Sequence, residues 1–290
     1  MNKALGIDIG GTKISYTLIN NNGEILSEIK KFSTPKTAIE IKELLQNVIK
    51  IYEDEIDFVA IATAGAVNNE NTAVIGSTAN LAQGYKDIDF QGLSAKKVFI
   101  ENDANCAAWA EYRIGASKGF DNSVMLTLGT GVGGGIIING KLLKGKSGAA
   151  GEMHFMMSRN KERSCTCGTY DCFEAYASGN GLRKTGIDVV GDENITTYEI
   201  IEKANNGDIQ AKSILEIWQN DIALGILGLA NLFDPDCFVL SGSMEQFVDT
   251  KKIEEFVNDN LVTTPTKIFH AKAGNYAGMI GAVLLANELL

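Results

Sequence analysis

Residues 4–26, ALGIDIGGTKISYTLINNNGEIL, and residues 123–143, SVMLTLGTGVGGGIIINGKLL, share one grammar. Each sets a β-rich run before a glycine cluster, a second β-rich run after it, and an Asn-Gly pair before a third. Glycine reaches backbone conformations closed to other residues, and Asn-Gly is the strongest short signal for a tight hairpin. Helical spacing follows in both halves, over 37–53 (TAIEIKELLQNVIKIYE) and much of 196–232. The pattern predicts an α/β fold of two similar halves, each a β-meander with helices, facing one another. A chain of 290 residues with 45% hydrophobic residues can bury one large core or two ordinary ones.

The glycine-rich region contains two well-known patterns that exclude each other. GKLLKGKS, residues 140–147, fits G-x-x-x-x-G-K-[ST], and GTGVGG, residues 129–134, fits G-x-G-x-x-G. A phosphate loop needs a helix starting at its Lys-Ser. Here Gly140 belongs to the Asn-Gly hairpin, KLL reads as the next strand, and GAAGEM after Ser147 is a poor helix start. The dinucleotide pattern needs a helix at its third glycine, whereas Gly134 leads into GIIIN, a strand. Both readings fail. The glycines retain another use, because a turn without Cβ atoms lets backbone N–H groups cradle an anion. One such turn reads as a plain hairpin; a matched pair, DIGGTK and LGTGVGGG, argues for phosphate.

Lys and Arg total 26 against 36 Asp and Glu, a formal charge of −10, which argues against a nucleic-acid binder. No signal peptide or membrane-length apolar run is apparent. Five cysteines, an odd number, suit a reducing cytoplasm better than a disulfide framework. The expectation is a cytoplasmic protein without nucleic-acid or membrane partners.

GIDIGGTK (6–13), ENDANCAAWAE (101–111), LGTGVGGGIIINGKLLKGKSGAAGE (128–152) and CTCGTYDCFEAYASG (165–179), with VLSGSM and AGMIGAVLLA later, occur in family order. In these the chain resembles the ROK family of bacterial sugar kinases and repressors, within the actin and hexokinase-like clan. The resemblance implies two ribonuclease-H-like domains with a cleft between them, closing on a sugar and ATP. The expected domains are 1–115, completed by a C-terminal helix at about 275–290, and 116–274, with a homodimer as the expected assembly. Asp103 resembles the catalytic base, which a weakly nucleophilic sugar hydroxyl requires; helix capping is its bland alternative. Asn80, Asn102, Glu152 and Glu174 resemble the sugar ligands, and Asp8 the acid that holds Mg²⁺, through water. Gly10, Gly11, Thr12, Lys13, Thr130, Gly131, Gly133 and Gly242 resemble the ATP site. Sugar-sensing repressors of the family carry a DNA-binding domain before the first glycine turn; with that turn beginning at Gly10, none is expected here.

The resemblance implies zinc on Cys165, Cys167 and Cys172, with a histidine three residues after the first glutamate as fourth ligand. GEMHFMM puts Phe155 at that place when counted without a gap, and His154 one residue early. In a strand that shift reverses the side chain's face. Three readings follow: no zinc, with the cysteines as small reduced core residues; three thiolates plus water or another side chain; or a one-residue deletion that restores His154, which would then touch the sugar too. The ungapped count expects no zinc. The reaction expected is phosphorylation of the 6-hydroxyl of a hexose or N-acetylhexosamine. NDA, AAWAE and Ala64 in TAG resemble bacterial N-acetylmannosamine kinases; glucokinases and glucoside kinases are the alternative, and a non-catalytic sugar sensor the rival.

Overall fold

The computed structural model describes residues 3–76, 81–158 and 160–290. It begins with an antiparallel hairpin of β1 (Lys3–Ile9) and β2 (Lys13–Asn20). The third strand expected at 24–26 shrinks to one bridge, Ile19 to Ile25. Asn20 causes this: its side-chain carbonyl accepts the N–H groups of Asn22 and Glu24 and curls the chain. The strand that pairs with β2 is instead β3 (Lys30–Ser33). Helix α1 (Ala38–Tyr52) starts at a Thr37–Glu40 capping box and buries Ile41, Leu45, Val48 and Ile49, one helical stripe. Then come β4 (Phe58–Thr63), a short hairpin of β5 (Ala66–Val67) and β6 (Val74–Gly76), β7 (Lys97–Asn102) and helix α2 (Asp103–Ile114). The first sheet has the order β3-β2-β1-β4-β7, with β1, β4 and β7 parallel.

The second half repeats the plan with β8 (Ser123–Leu128), β9 (Val132–Ile138) and β10 (Lys141–Leu142). Asn139 and Gly140 take φ of 50° and 69°, the two left-handed residues a tight hairpin needs. The next helix among the described residues is α3 (Phe173–Ala177), so no helix starts at Ser147, and Gly134 lies within β9. Both famous patterns are therefore hairpin segments. Helices α4 (Gly179–Val190), α5 (Thr197–Asn205) and α6 (Ile209–Phe233) precede β11 (Cys237–Ser241), α7 (Thr250–Asn260), β12 (Lys267–His270) and α8 (Ala277–Leu289). The second sheet runs β10-β9-β8-β11-β12, with β11 parallel to β8 and β12.

The chain divides into two compact units, residues 1–119, 135–151 and 272–290, and residues 120–134 and 152–271. Segment 135–151, expected in the second domain, groups with the first unit. Its glycines explain why: a Cβ on Gly135 would lie 2.6 Å from Ala108 Cβ, one on Gly140 2.8 Å from the Tyr112 hydroxyl, and one on Gly148 1.8 Å from the Val67 carbonyl. Only glycine permits so close an approach.

Within the first unit, Leu5, Ile7, Ile9, Ile14 and Tyr16 form one core with Ile41 and Leu45 of α1. Helix α8 packs against β1 and α2. A Cβ on Gly6 would meet Met279 Cγ at 2.8 Å, and one on Gly281 the Cys106 carbonyl at 1.7 Å. Burying Met279 or Val283, both unexposed, contributes about 1.5–3 kcal/mol each. Among the described residues no helix is long and apolar enough to cross a membrane.

Candidate functional site

In the first unit Asp8 stands near the carboxyl end of β1, and Asp103 directly follows β7. The register puts Asp8 opposite Ala62 and Ala62 opposite Glu101, so these strand ends are two spacings apart, about 10 Å. Burial raises the Asp8 carboxyl to about 6, against the nearby charge of Lys13. Asp103 occupies the first turn of α2, where the helix dipole stabilises its charge, and one oxygen accepts the Ala104 N–H at 2.9 Å. The capping residue is Asn102, not Asp103. Its Oδ1 accepts from the Ala104 and Asn105 N–H groups at 3.0 Å each, and its Nδ2 donates to the Gly65 carbonyl at 3.1 Å. Asn102 thus keeps one amide proton for a ligand. Asn80 lies outside the described residues.

Two buried groups that the sequence did not single out mark where the acids converge. Tyr85 shares a 2.6 Å hydrogen bond with Thr63. Its hydroxyl is pushed well up by burial, with Asp103 and Asp8 adding to the effect. Burial likewise raises the Cys106 thiol, reinforced by Glu101, Asp103 and Asp8. Gly278 of α8 completes the surroundings: a Cβ there would lie 3.8 Å from Asp8 Oδ2 and 3.7 Å from the Asp103 carbonyl.

The glycine turns treat their backbone alike. In the first, Gly10 N–H donates to Lys13 O at 3.0 Å, and in the second Gly129 N–H donates to Gly131 O at 3.0 Å. Among the described residues this leaves two consecutive N–H groups unpartnered in each turn, on Gly11 and Thr12 and on Thr130 and Gly131. Such a pair is an anion cradle. The Gly133 N–H, by contrast, donates to Thr127 Oγ1 at 3.1 Å. Gly242 takes a φ of 92°, and a Cβ on it would lie 2.3 Å from the Leu128 carbonyl. It therefore joins the Gly129–Gly131 turn at the carboxyl ends of β8 and β11. A cavity of about 360 Å³ beside that turn is lined by Thr130, Cys165, Glu174, Asn180 and Lys184, among others.

The cysteine segment of this second unit corrects the ungapped count. His154, Cys165, Cys167 and Cys172 bring one ligand atom each within 4.8 Å of one another. Cys165 Sγ is 3.5 Å from His154 Nδ1, and the Cys167 and Cys172 sulfurs are 3.4 Å apart. Bonds of about 2.0–2.3 Å in a tetrahedron place ligand atoms at similar separations, so the four fit zinc. Residues 152–155 form no strand, so alternation does not govern which way His154 faces. Phe155 stacks on Phe173 instead, centroids 5.0 Å apart. Burial holds the Cys165 thiol up at about 12, while the Thr169 hydroxyl brings Cys167 down to about 6. His154 Nε2 lies 3.6 Å from Glu152, leaving Nδ1 as the ligand atom. Glu174 accepts from Thr166 at 2.5 Å, from the Val132 N–H at 3.1 Å and from Cys165 at 3.7 Å. The expected sugar carboxylates, Glu152 and Glu174, thus flank one metal-type cluster.

Residues 4–289 match the family model described as the ROK family. The glucokinase of Streptomyces coelicolor is 32% identical over 321 aligned residues, covering 99% of this chain and 98% of that protein. The N-acetylmannosamine kinase of Yersinia pestis is 29% identical over 303, covering all of both. The ROK family glucokinase of Streptomyces griseus, solved in complex with glucose and AMPPNP, superposes with a TM-score of 0.80 at 31% identity, covering 99% of this chain and 100% of that one. With the family model spanning nearly its whole length, and two sheets that repeat one strand plan, the chain belongs to the ROK family.

Proposed function

We propose that the protein transfers the γ-phosphoryl group of ATP to the 6-hydroxyl of a hexose or N-acetylhexosamine, with N-acetylmannosamine as the acceptor. The observation that carries the phosphoryl-transfer reading is the matched pair of glycine turns, one in each unit and each with two N–H groups unpartnered among the described residues, together with the gathering of Asp8 and Asp103 within the first unit. In this reading Asp103 takes the proton from the sugar's O6 as O6 bonds to the γ-phosphorus. The bond from that phosphorus to the bridging oxygen breaks, and ADP leaves with the electron pair. The amides of Gly11, Thr12, Thr130 and Gly131 hold phosphate oxygens, and Glu152 and Glu174 accept hydrogen bonds from sugar hydroxyls.

Asp8 suits Mg²⁺, which takes carboxylate oxygens and would neutralise phosphate charge there. No hydrogen bond from a described residue offsets its burial, only Lys13. With its carboxyl raised to about 6, Asp8 is ionised above that pH and protonated below it. Each pH unit below the transition should weaken apparent Mg²⁺ affinity about tenfold. Turnover titrated with Mg²⁺ at several pH values measures this, and an affinity constant through the acid range would remove Asp8 from the cation site.

A coupled ADP-release screen over glucose, mannose, fructose, N-acetylglucosamine and N-acetylmannosamine, with Mg-ATP, tests the reaction. N-acetylmannosamine should give the highest kcat/KM. Glucose giving the highest would favour the second reading, glucokinase, which the 32% identity to the S. coelicolor enzyme supports. Silence with all five would sink the kinase reading.

A further inference from the structure

GKLLKGKS is not a phosphate loop, yet one of its lysines, Lys144, pairs with a buried carboxylate next to the start of α2. Glu101 is fully buried, and each carboxylate oxygen has two partners. Oε2 accepts from Lys144 Nζ at 2.8 Å and Asn71 Nδ2 at 2.7 Å. Oε1 accepts from the Asn102 N–H at 2.8 Å and Asn105 Nδ2 at 3.2 Å. Lys144 also donates to the Asn68 carbonyl at 2.9 Å. Asn69 pins the same loop through the carbonyls of Gly145 and Lys146. Asn71 clasps the Ile100 carbonyl at 2.9 Å and accepts the Ile100 N–H at 3.0 Å. Glu101 therefore ties the β5–β6 hairpin and the 144–146 loop to the backbone and side chain that open α2. Asp103 lies between its two Oε1 partners in sequence.

We propose that Lys144 is a positioning residue for the transfer, acting through Glu101 on the first turn of α2 and hence on Asp103; this rests on Asp103 being the base. A buried carboxylate holds its charge only when paired. Without the Lys144 ammonium, Glu101 faces neutral donors alone, and it must take up a proton or shift toward water. Either response loosens the Asn102 and Asn105 contacts beside the base. Misplacement of a catalytic group by about 1 Å costs up to about 10²-fold in rate. Lys146 has no such role, because Asn69 meets its backbone carbonyl rather than its ammonium.

The test is steady-state kinetics of Lys144→Met, Lys146→Ala and the double variant Lys144→Met/Glu101→Gln, with melting curves. Lys144→Met should lose about 10- to 100-fold in kcat with both KM values within about threefold. Lys146→Ala should stay within about twofold on both parameters. The double variant should recover part of that loss, because the unpaired charge leaves with its partner. The carbonyl that Glu101→Gln leaves still accepts from Asn102 and Asn105, while its amide group faces the Asn71 donor. A purely structural lysine would lower the melting temperature without this split or this recovery. A folded Lys144→Met with wild-type kcat overturns the proposal. So does a KM that rises in step with the loss, which would make Lys144 a ligand, or a double variant no better than the single. Should Lys144→Met fail to fold, Asn105→Ala removes the longest Glu101 contact, and a wild-type kcat there is equally fatal. An active Asp103→Asn enzyme would defeat the base assignment itself; an inactive one beside a normal Lys144→Met would defeat only the role of Lys144.

Discussion

Asp103→Asn is expected to lower kcat by at least about 10²-fold, the low end for removal of a general base, while sugar binding measured by calorimetry stays nearly unchanged. The substitution is isosteric, and an amide oxygen still accepts the Ala104 N–H that the carboxylate accepts now. The cap is supplied by Asn102, so α2 keeps its start and the melting temperature should move little. What disappears is a group able to accept the hydroxyl proton. Wild-type turnover would remove Asp103 from the chemistry; an equal loss of sugar affinity would make it a ligand before a base.

The second large effect concerns metal. The purified protein should contain one zinc per chain, and a strong chelator should lower its melting temperature by on the order of 10 °C. Between His154 and Cys172 regular pairing among the described residues is confined to isolated bridges, Met156 to Cys172 and Ser164 to Tyr170. Asp171 adds a clasp by accepting the N–H groups of Lys161, Glu162 and Arg163, with Arg163 the leading cause of its lowered pKa. That clasp does not reach the side chains of His154 and Cys165, whose segments are otherwise held by single backbone bonds such as Cys165 N–H to Thr169 O and Phe173 N–H to Phe155 O. Since Glu152 adjoins His154 and Glu174 adjoins Cys165, KM for the sugar should rise with the loss of metal. Cys172→Ala, at a fully buried ligand, should reproduce both effects. Negligible zinc by elemental analysis, with melting indifferent to chelator, would restore the ungapped count.

The parts of this site that read directly from sequence are those whose conformation is local. Glycine turns and an Asn-Gly hairpin announce themselves because few residues reach left-handed φ, and Asn139 and Gly140 sit there as expected. The place of His154 beside the three cysteines stays one of three readings in the sequence, because a period of two does not govern an irregular segment. Lys144 and Glu101, or Tyr85 and Thr63, could not be paired from sequence, because each contact joins residues far apart in the chain. The third strand of the first meander was displaced by a side-chain contact, Asn20 to Glu24, that spacing does not reveal.

The packing of α8 bears on how the protein is made. Strand β1 and helix α2 leave the ribosome early, but the helix that covers both is encoded at residues 277–289. Glu111 on α2 waits equally long for its partners, the N–H groups of Lys272 and Ala273, 161 and 162 positions further on. Until α8 is made, Gly6 and the Cys106 side of α2 lack the helix that covers them, and bare apolar surface of this kind is open to aggregation. Residues 120–134 and 152–271, by contrast, are all synthesised before α8 emerges. The unit begun first is therefore the last to be finished, and a chaperone meeting the nascent protein would find its exposed seam along β1 and α2.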